Sequence, residues 1–254
     1  MTNVKLGPSF DELRDMAADA VWNSGSVTIA NNPELGEFRL QVHRDFPDAP
    51  LSPIYLSLRP YGVKTGKLTQ ADIGTIGHAM ASYAQKEGLF NRPRAVAGIP
   101  AAGEPFTSAM HDHLGSDCFN LNRFHLTKVE DGSGQTRIVQ PDDLELLNVG
   151  DMQEVILVDD LVTKAGTKKQ AIEAVEGFGA HVSDLIVFVD RSGGKVKQEL
   201  AQMGVTLHVI WDFDHLLEYW AGKGYLGTKD NIDSILPAIS SYPQRLQDYL
   251  QTVG

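Results

Sequence analysis

Two adjacent carboxylates, Asp159 and Asp160, close the apolar run Val155-Ile-Leu-Val158, and the short segment Thr163-Lys-Ala-Gly-Thr167 follows them. Carboxylates accept hydrogen bonds from sugar hydroxyls. Hydroxyls and backbone N–H groups at the start of a helix donate to a phosphate, which the positive end of the helix dipole also attracts. One stretch of chain therefore holds acceptors for a sugar beside donors for a phosphate, and a phosphorylated sugar satisfies both. This chemistry needs a strand that delivers the carboxylates and a helix that opens just after them, here expected over residues 167–177. An apolar run rich in β-branching is a buried parallel strand, and open α/β sheets bind ligands beyond the carboxyl ends of their strands.

Other readings of the same residues are weaker. The glycines match neither G-x-x-x-x-G-K-[ST] nor a G-x-G-x-x-G placed after a strand. A response-regulator receiver also carries paired Asp residues after a strand, with Asp190 standing where a phosphoacceptor would. Receivers carry that pair near their start, however, and here 158 residues precede Asp159. A plain strand-to-helix turn, with carboxylates capping the helix, is the remaining structural alternative.

The surrounding alternation supports a parallel sheet. Ser9 with Glu12 and Thr69 with Asp72 have capping-box spacing and open helices ending near residues 21 and 88. Extended segments are expected at Ser26–Ala30, Glu37–Val42 and Pro53–Leu58. From residue 94, strands at 94–98, 118–123, 154–158, 184–189 and 205–211 alternate with helices at 104–113, 167–177 and 195–203. A polar segment lies around 125–140. Strands separated by helices of this length imply right-handed βαβ units. From Phe213 the chain is helical, with Leu216, Leu217 and Trp220 on one face.

Val158-Asp-Asp-Leu-Val-Thr163-Lys-Ala-Gly-Thr167 resembles the phosphoribosyl-pyrophosphate signature of the type I phosphoribosyltransferases, and within them the chain is most similar to the orotate enzymes. Three further segments carry the match in order: Leu51-Ser-Pro-Ile-Tyr55-Leu-Ser-Leu-Arg59, Val96-Ala-Gly-Ile-Pro100-Ala-Ala-Gly103 and Val187-Phe-Val-Asp190-Arg191-Ser-Gly-Gly194. The resemblance spans roughly residues 9 to 225. It implies an α/β fold: an open, mainly parallel twisted sheet flanked by helices, with a small hood from the N- and C-terminal segments. As a single domain over 1–254, the hood would take about 1–65 and 213–254 and the core about 66–212.

The resemblance also implies roles. Asp159 and Asp160 would meet the ribose hydroxyls, and Thr163, Lys164, Ala165, Gly166 and Thr167 would surround the 5′-phosphate. Ala101, Ala102 and Gly103 would meet pyrophosphate, and Arg191 the carboxylate of orotate. Lys128 and Gly132, with Arg123 after a one-residue shift, would lie on a mobile loop over 122–132 that reaches the pyrophosphate of the neighbouring subunit. The implied reaction joins orotate to phosphoribosyl pyrophosphate, a step of pyrimidine biosynthesis. Mg²⁺ would be carried on the pyrophosphate without a direct protein ligand, in a cytoplasmic homodimer.

Three departures from the family pattern stand out. Ala165 replaces a glycine, the 122–132 segment holds fewer cations, and Phe38-Arg-Leu40-Gln-Val42-His43 replaces a hairpin that carries Ser-Gly. These leave open a phosphoribosyltransferase acting on another base, or a nucleotide-sugar-binding regulator without catalysis.

Composition bounds the remainder. The 254 residues are 42% hydrophobic and 22% charged, as in an ordinary globular protein. A net charge of −11 argues against a nucleic-acid surface, and no apolar run reaches the ~20 residues a membrane helix needs. The N-terminal residues lack signal-peptide character. Cys118, the single cysteine, fits a reducing compartment. His111 and His113 do not share a helix face and make poor joint metal ligands. Trp211, Trp220 and Tyr225 are expected in the core or an interface rather than stacked on a base.

Overall fold

A computed structural model describes residues 7–91, 94–114, 122–130, 136–139 and 154–253, except the side chains of Gln41, Asn122, Arg123, Thr136 and Arg137. Cys118 and Gly132 lie outside the described residues. In chain order the first elements are α1 (Phe10–Asn23), β1 (Val27–Ile29), β2 (Ile54–Leu56), α2 (Gln70–Lys86), β3 (Ala95–Gly98) and α3 (Gly103–Leu114). Then come β4 (Asn122–His125), β5 (Thr127–Glu130), β6 (Thr136–Val139), β7 (Glu154–Val162) and α4 (Gly166–Glu176). The chain closes with β8 (His181–Asp190), α5 (Lys195–Ala201), β9 (Thr206–Asp212), α6 (Phe213–Gly222) and α7 (Lys229–Val253). Residues up to Ala20 with Thr69–Phe213 form one compact unit, and Val21–Leu68 with Asp214–Gly254 form a second.

The first unit is built on a five-stranded sheet in the order β4-β3-β7-β8-β9, parallel throughout. This is the expected sheet flanked by helices. Val155, Ile156, Leu157 and Val158 of β7 have no exposed surface, each such side chain contributing roughly 1.5–3 kcal/mol on burial. Side chains alternate across the sheet. Val155 and Leu157 share one core with Leu185 and Val187 of β8, with Ala171, Ile172 and Val175 of α4, and with Val196 and Leu200 of α5. Helices α2 and α3 pack on each other and on β3, β7, β8 and β9 through Ile73, Ile76, Met80, Phe106 and Met110. Both capping boxes form: Glu12 N–H donates to Ser9 Oγ at 3.3 Å and Asp72 N–H to Thr69 Oγ1 at 3.3 Å.

In the second unit β1 and β2 pair antiparallel, Val27 opposite Leu56. Trp22 stacks on Tyr225 at 5.3 Å and meets the buried Trp220 at 5.5 Å. The extended segment expected over Glu37–Val42 is confined to one bridge, Phe38 with Ser52, and a 3-10 turn at Gln41–Arg44 follows. The buried His43 ring explains the difference. Its Nδ1 accepts the Leu40 N–H at 2.8 Å and its Nε2 lies 3.2 Å from Pro50 O, pulling the chain into a turn.

At the amino ends of the strands a charged network crosses the sheet. Buried Arg94 lies 2.7 Å from Asp184 and 3.1 Å from Glu154, and His208 Nε2 lies 2.7 Å from the other Asp184 oxygen. Burial opposes ionisation of Asp184. Hydrogen bonds from His208 and Ser183, with the Arg94 charge, outweigh it and hold the carboxyl below its ordinary range. Its contribution to stability is therefore full above the unfolded carboxyl value of about 3.9 and is lost as pH falls through the lower folded value. Asp184→Ala leaves the buried Arg94 guanidinium with Glu154 alone and should cost about 3 kcal/mol at neutral pH. In urea denaturation across pH, the gap to the parent should close below about pH 4.

Candidate functional site

The sheet order places a topological switch between β3 and β7, since β3 crosses to β4 on one side and β7 to β8 on the other. The loops after β3 and β7 therefore part and leave a crevice at their carboxyl ends. Strand β3 pairs with β7 only as far as Gly98 and Val158, whereas β7 stays paired with β8 to Val162. Just beyond β3, Ile99 N–H donates to Val158 O and Gly103 N–H to Ile99 O, each at 2.8 Å, and the Pro100–Ala101 peptide is cis. This close fold-back depends on missing side chains. A Cβ at Gly98 would come 2.6 Å from Glu104 N, and one at Gly103 would overlap Val158 O and lie 3.1 Å from Asp159 Cα. Ala101 is exposed, Ala102 half-buried and Gly103 buried.

Strand β7 does not end at the carboxylates, because Leu161 and Val162 remain paired with Val189 and Asp190. Consecutive strand residues point to opposite faces. Asp159 takes the parity of Val155 and Leu157, toward α4, and its Oδ2 lies 2.7 Å from Lys168 Nζ. Its Oδ1 accepts the Asp160 N–H at 3.0 Å. Asp160 is buried, with Oδ1 accepting the Leu161 N–H at 2.6 Å. Burial and the neighbouring Asp159 charge push its carboxyl well above the ordinary range, opposed by that N–H and by Lys168.

Helix α4 begins at Gly166 with Ala165 as N-cap, and no side chain caps it. Its first-turn N–H groups are thus left to solvent or to an anion. Ala165 has φ −77°, a right-handed conformation open to any residue, so alanine is unstrained where the family keeps glycine. Thr163, Lys164, Gly166 and Thr167 are exposed around this helix start.

Lys168 is the residue that the sequence reading missed. It is buried, 7% exposed, and besides meeting Asp159 its Nζ donates to Leu161 O at 3.0 Å. The signal was present: Lys168, Ala171, Ile172 and Val175, at i, i+3, i+4 and i+7, are the buried residues of α4. A lysine on an apolar stripe needs a carboxylate, and the signature just before it supplies one.

The remaining expected residues are distributed unevenly. Arg191 is half-buried after β8, its N–H donating to Val162 O at 2.8 Å and its guanidinium 4.7 Å above the Phe213 ring. Gly193 and Gly194, at φ 60° and 80°, make the left-handed turn into α5 that glycine adopts freely. Where a mobile loop was expected over 122–132, β4 and β5 are strands. Arg123 lies on β4 opposite Val96, and exposed Lys128 on β5 opposite Ile138. Buried Phe124 and Leu126 alternate with exposed neighbours, the period-2 pattern that holds this segment extended. His125 meets Glu104, at the start of α3, at 2.8 Å. His111 and His113 are exposed, the latter stacked on His78 at 4.1 Å.

A parallel sheet flanked by helices, with a switch point between β3 and β7, buried carboxylates and an uncapped helix start after them, defines an open α/β protein. The family model for the phosphoribosyl transferase domain matches residues 68–219, and the chain belongs to that family. An orotate phosphoribosyltransferase of Rhodopirellula baltica is 31% identical over 145 residues, 54% of this chain and 70% of that one. Among solved structures, the UMP synthase of Leishmania donovani superposes with TM-score 0.59 at 22% identity, over 89% of this chain and 42% of the other. The orotate phosphoribosyltransferase of Aeropyrum pernix does so with TM-score 0.53 at 20% identity, over 81% and 99%. Among the described residues no helix is long and apolar enough to cross a membrane.

The fold-back of residues 99–103 onto β7 gives a direct test. Gly103→Ala forces a methyl against Val158 O and should cost about 1–3 kcal/mol in denaturant unfolding. The strand end carrying Asp159 must shift with it, so ligand affinity should fall by more than the stability loss alone accounts for. A variant with unchanged unfolding free energy would contradict the close approach.

Proposed function

We propose that this protein transfers the 5-phosphoribosyl group from phosphoribosyl pyrophosphate to orotate, giving orotidine 5′-phosphate and pyrophosphate in pyrimidine biosynthesis. One observation carries the reading: residues 99–103 fold back onto β7 beside Asp159, and Lys168 ties that carboxylate to the uncapped first turn of α4. Those are the groups a ribose, its 5′-phosphate and its pyrophosphate require. What supports orotate as acceptor is the name shared by the curated relatives, together with Arg191, whose planar fork suits a carboxylate.

In this reading the C1–oxygen bond to pyrophosphate breaks as N1 of orotate bonds to C1 and gives up its proton, which departs with pyrophosphate or to water, through a loose displacement with positive charge on the sugar. The protein mainly positions and neutralises. The α4 N–H groups, with Thr163 and Thr167, hold the 5′-phosphate. Asp160, beside Asp159, accepts from the ribose hydroxyls, and residues 101–103 meet the departing pyrophosphate. Lys168 engages Asp159, which fits Mg²⁺ carried on substrate oxygens, where it would offset leaving-group charge. The protein works as a cytoplasmic homodimer, with Lys128 of each subunit reaching the other's pyrophosphate.

Turnover on a panel of bases with labelled phosphoribosyl pyrophosphate tests this. Product with orotate is expected. Product only with another base would move the acceptor, and uptake without turnover on any base would make the protein a regulator. Asp160→Asn should lower kcat by an order of magnitude or more. Because a carboxyl raised in the folded state loses stability as pH climbs through its folded value, the melting temperature of that variant should not fall at neutral pH. Lys128→Ala should be partly rescued when its subunits are mixed with subunits inactivated at Asp160. Absence of rescue would contradict the shared site.

A further inference from the structure

We propose that Lys168 is the built-in counter-ion of the carboxylate pair, a positioning residue that engages Asp159 and leaves Asp160 to receive the ribose hydroxyls. The inference rests on the crevice binding phosphoribosyl pyrophosphate, and it divides labour between two residues that otherwise look equivalent.

Geometry separates the two. Asp159 faces α4, with Oδ2 at 2.7 Å from Lys168 and Oδ1 taken by the Asp160 N–H. Asp160 has the opposite parity on β7; its carboxyl accepts the Leu161 N–H and interacts with the Asp159 carboxyl, and it makes no ion pair as short as the one between Asp159 and Lys168. Two adjacent ionised carboxylates repel each other, and the Asp159 charge pushes the Asp160 carboxyl up. A polyanionic ligand adds to that repulsion. One buried ammonium offsets the Asp159 charge, so that the pair carries at most a single negative charge toward the ligand. The same ammonium holds Leu161 O at 3.0 Å, which ties the first turn of α4 to β7. Lys168 thereby also sets the separation between ribose acceptors and 5′-phosphate donors.

The other ionisable groups around the pair already have partners or lie in the turn. They are Asp190 of β8, bonded by the Ser192 N–H, Glu104 of α3 with His125, Lys169 of α4 with Glu199, and the exposed Lys164. Burial and Asp159 hold Asp160 toward its neutral form, and Lys168 opposes this. Without Lys168, a proton bound by the pair would take over part of its work.

Calorimetry with phosphoribosyl pyrophosphate on the full chain, with its metal held constant, tests the proposal. At about pH 8, Lys168→Met should bind at least tenfold more weakly than the parent, and the ratio should narrow toward about pH 6 as protonation replaces the ammonium. Lys168→Arg should recover affinity to within about threefold of the parent. A Lys168→Met ratio near one, or one that stays flat with pH, would overturn the counter-ion role while leaving the site intact. Absence of uptake by the parent chain would instead sink the reading of the crevice itself. If Lys168→Met fails to fold, Asp159→Asn combined with Lys168→Met removes both charges. That double variant should bind more tightly than Asp160→Asn, and equal or weaker binding would return the sugar to Asp159.

Discussion

Strand β7 outruns its neighbour, and the rest of the crevice hangs on that overhang. Beyond Val158 the β3 side is gone, closed by Ile99 and Gly103 folding back, while β8 holds β7 straight to Val162. Residues 159–162 then anchor the turns that follow β7 and β8. The Leu161 carbonyl receives Lys168 and so anchors the start of α4. The Val162 carbonyl receives the Arg191 N–H and so anchors the turn after β8. Three loops that are distant in sequence are referenced to one short piece of backbone. The hydrophobic burial of residues 155–158 fixes that piece at its base.

A chain of net charge −11 that holds a polyanion must do so locally. At physiological salt, exposed charges are screened beyond about 8 Å, so the acidic surface sets little of the potential inside the crevice. There the positive field comes from backbone N–H groups, at an α4 terminus with no side-chain cap, and from buried or half-buried cations. The carboxylates work against that field. Lys168, in the first turn of α4, offsets the Asp159 charge from the buried side; under the proposed reading that ammonium would temper the conflict.

Much of this architecture was legible because it follows from local rules. The Ser9 and Thr69 caps depend on residues three apart, and the β7–α4 unit depends on an apolar run meeting a turn. What escaped the sequence depends on partners elsewhere. Two adjacent Asp residues look like a strand terminus, and only pairing with Val189 and Asp190 carries the strand past them. The segment at 37–42 alternates like a strand, yet His43 draws it into a turn by reaching Pro50. The polar composition around 122–130 hid the alternation of Phe124 and Leu126. Lys168 is the instructive miss. Lysine in the first turn of a helix is usually solvated, and only the phase of the apolar stripe places it inside.

The overhang also explains why departures from the family pattern can sit beside an intact sugar-phosphate site. Ala165 costs nothing because its backbone is right-handed, and Lys128 stands on β5 opposite Ile138. Under the proposed reading, substitutions in the phosphate and leaving-group loops would bear on the pyrophosphate or the acceptor and would leave the grip on the ribose standing. The reverse does not hold. A shift of β7 by one ångström would displace Asp160, the α4 terminus and Arg191 together. Misplacement on that scale costs on the order of a hundredfold in rate, so the tolerance of this site to change is set by how rigidly residues 159–162 are held.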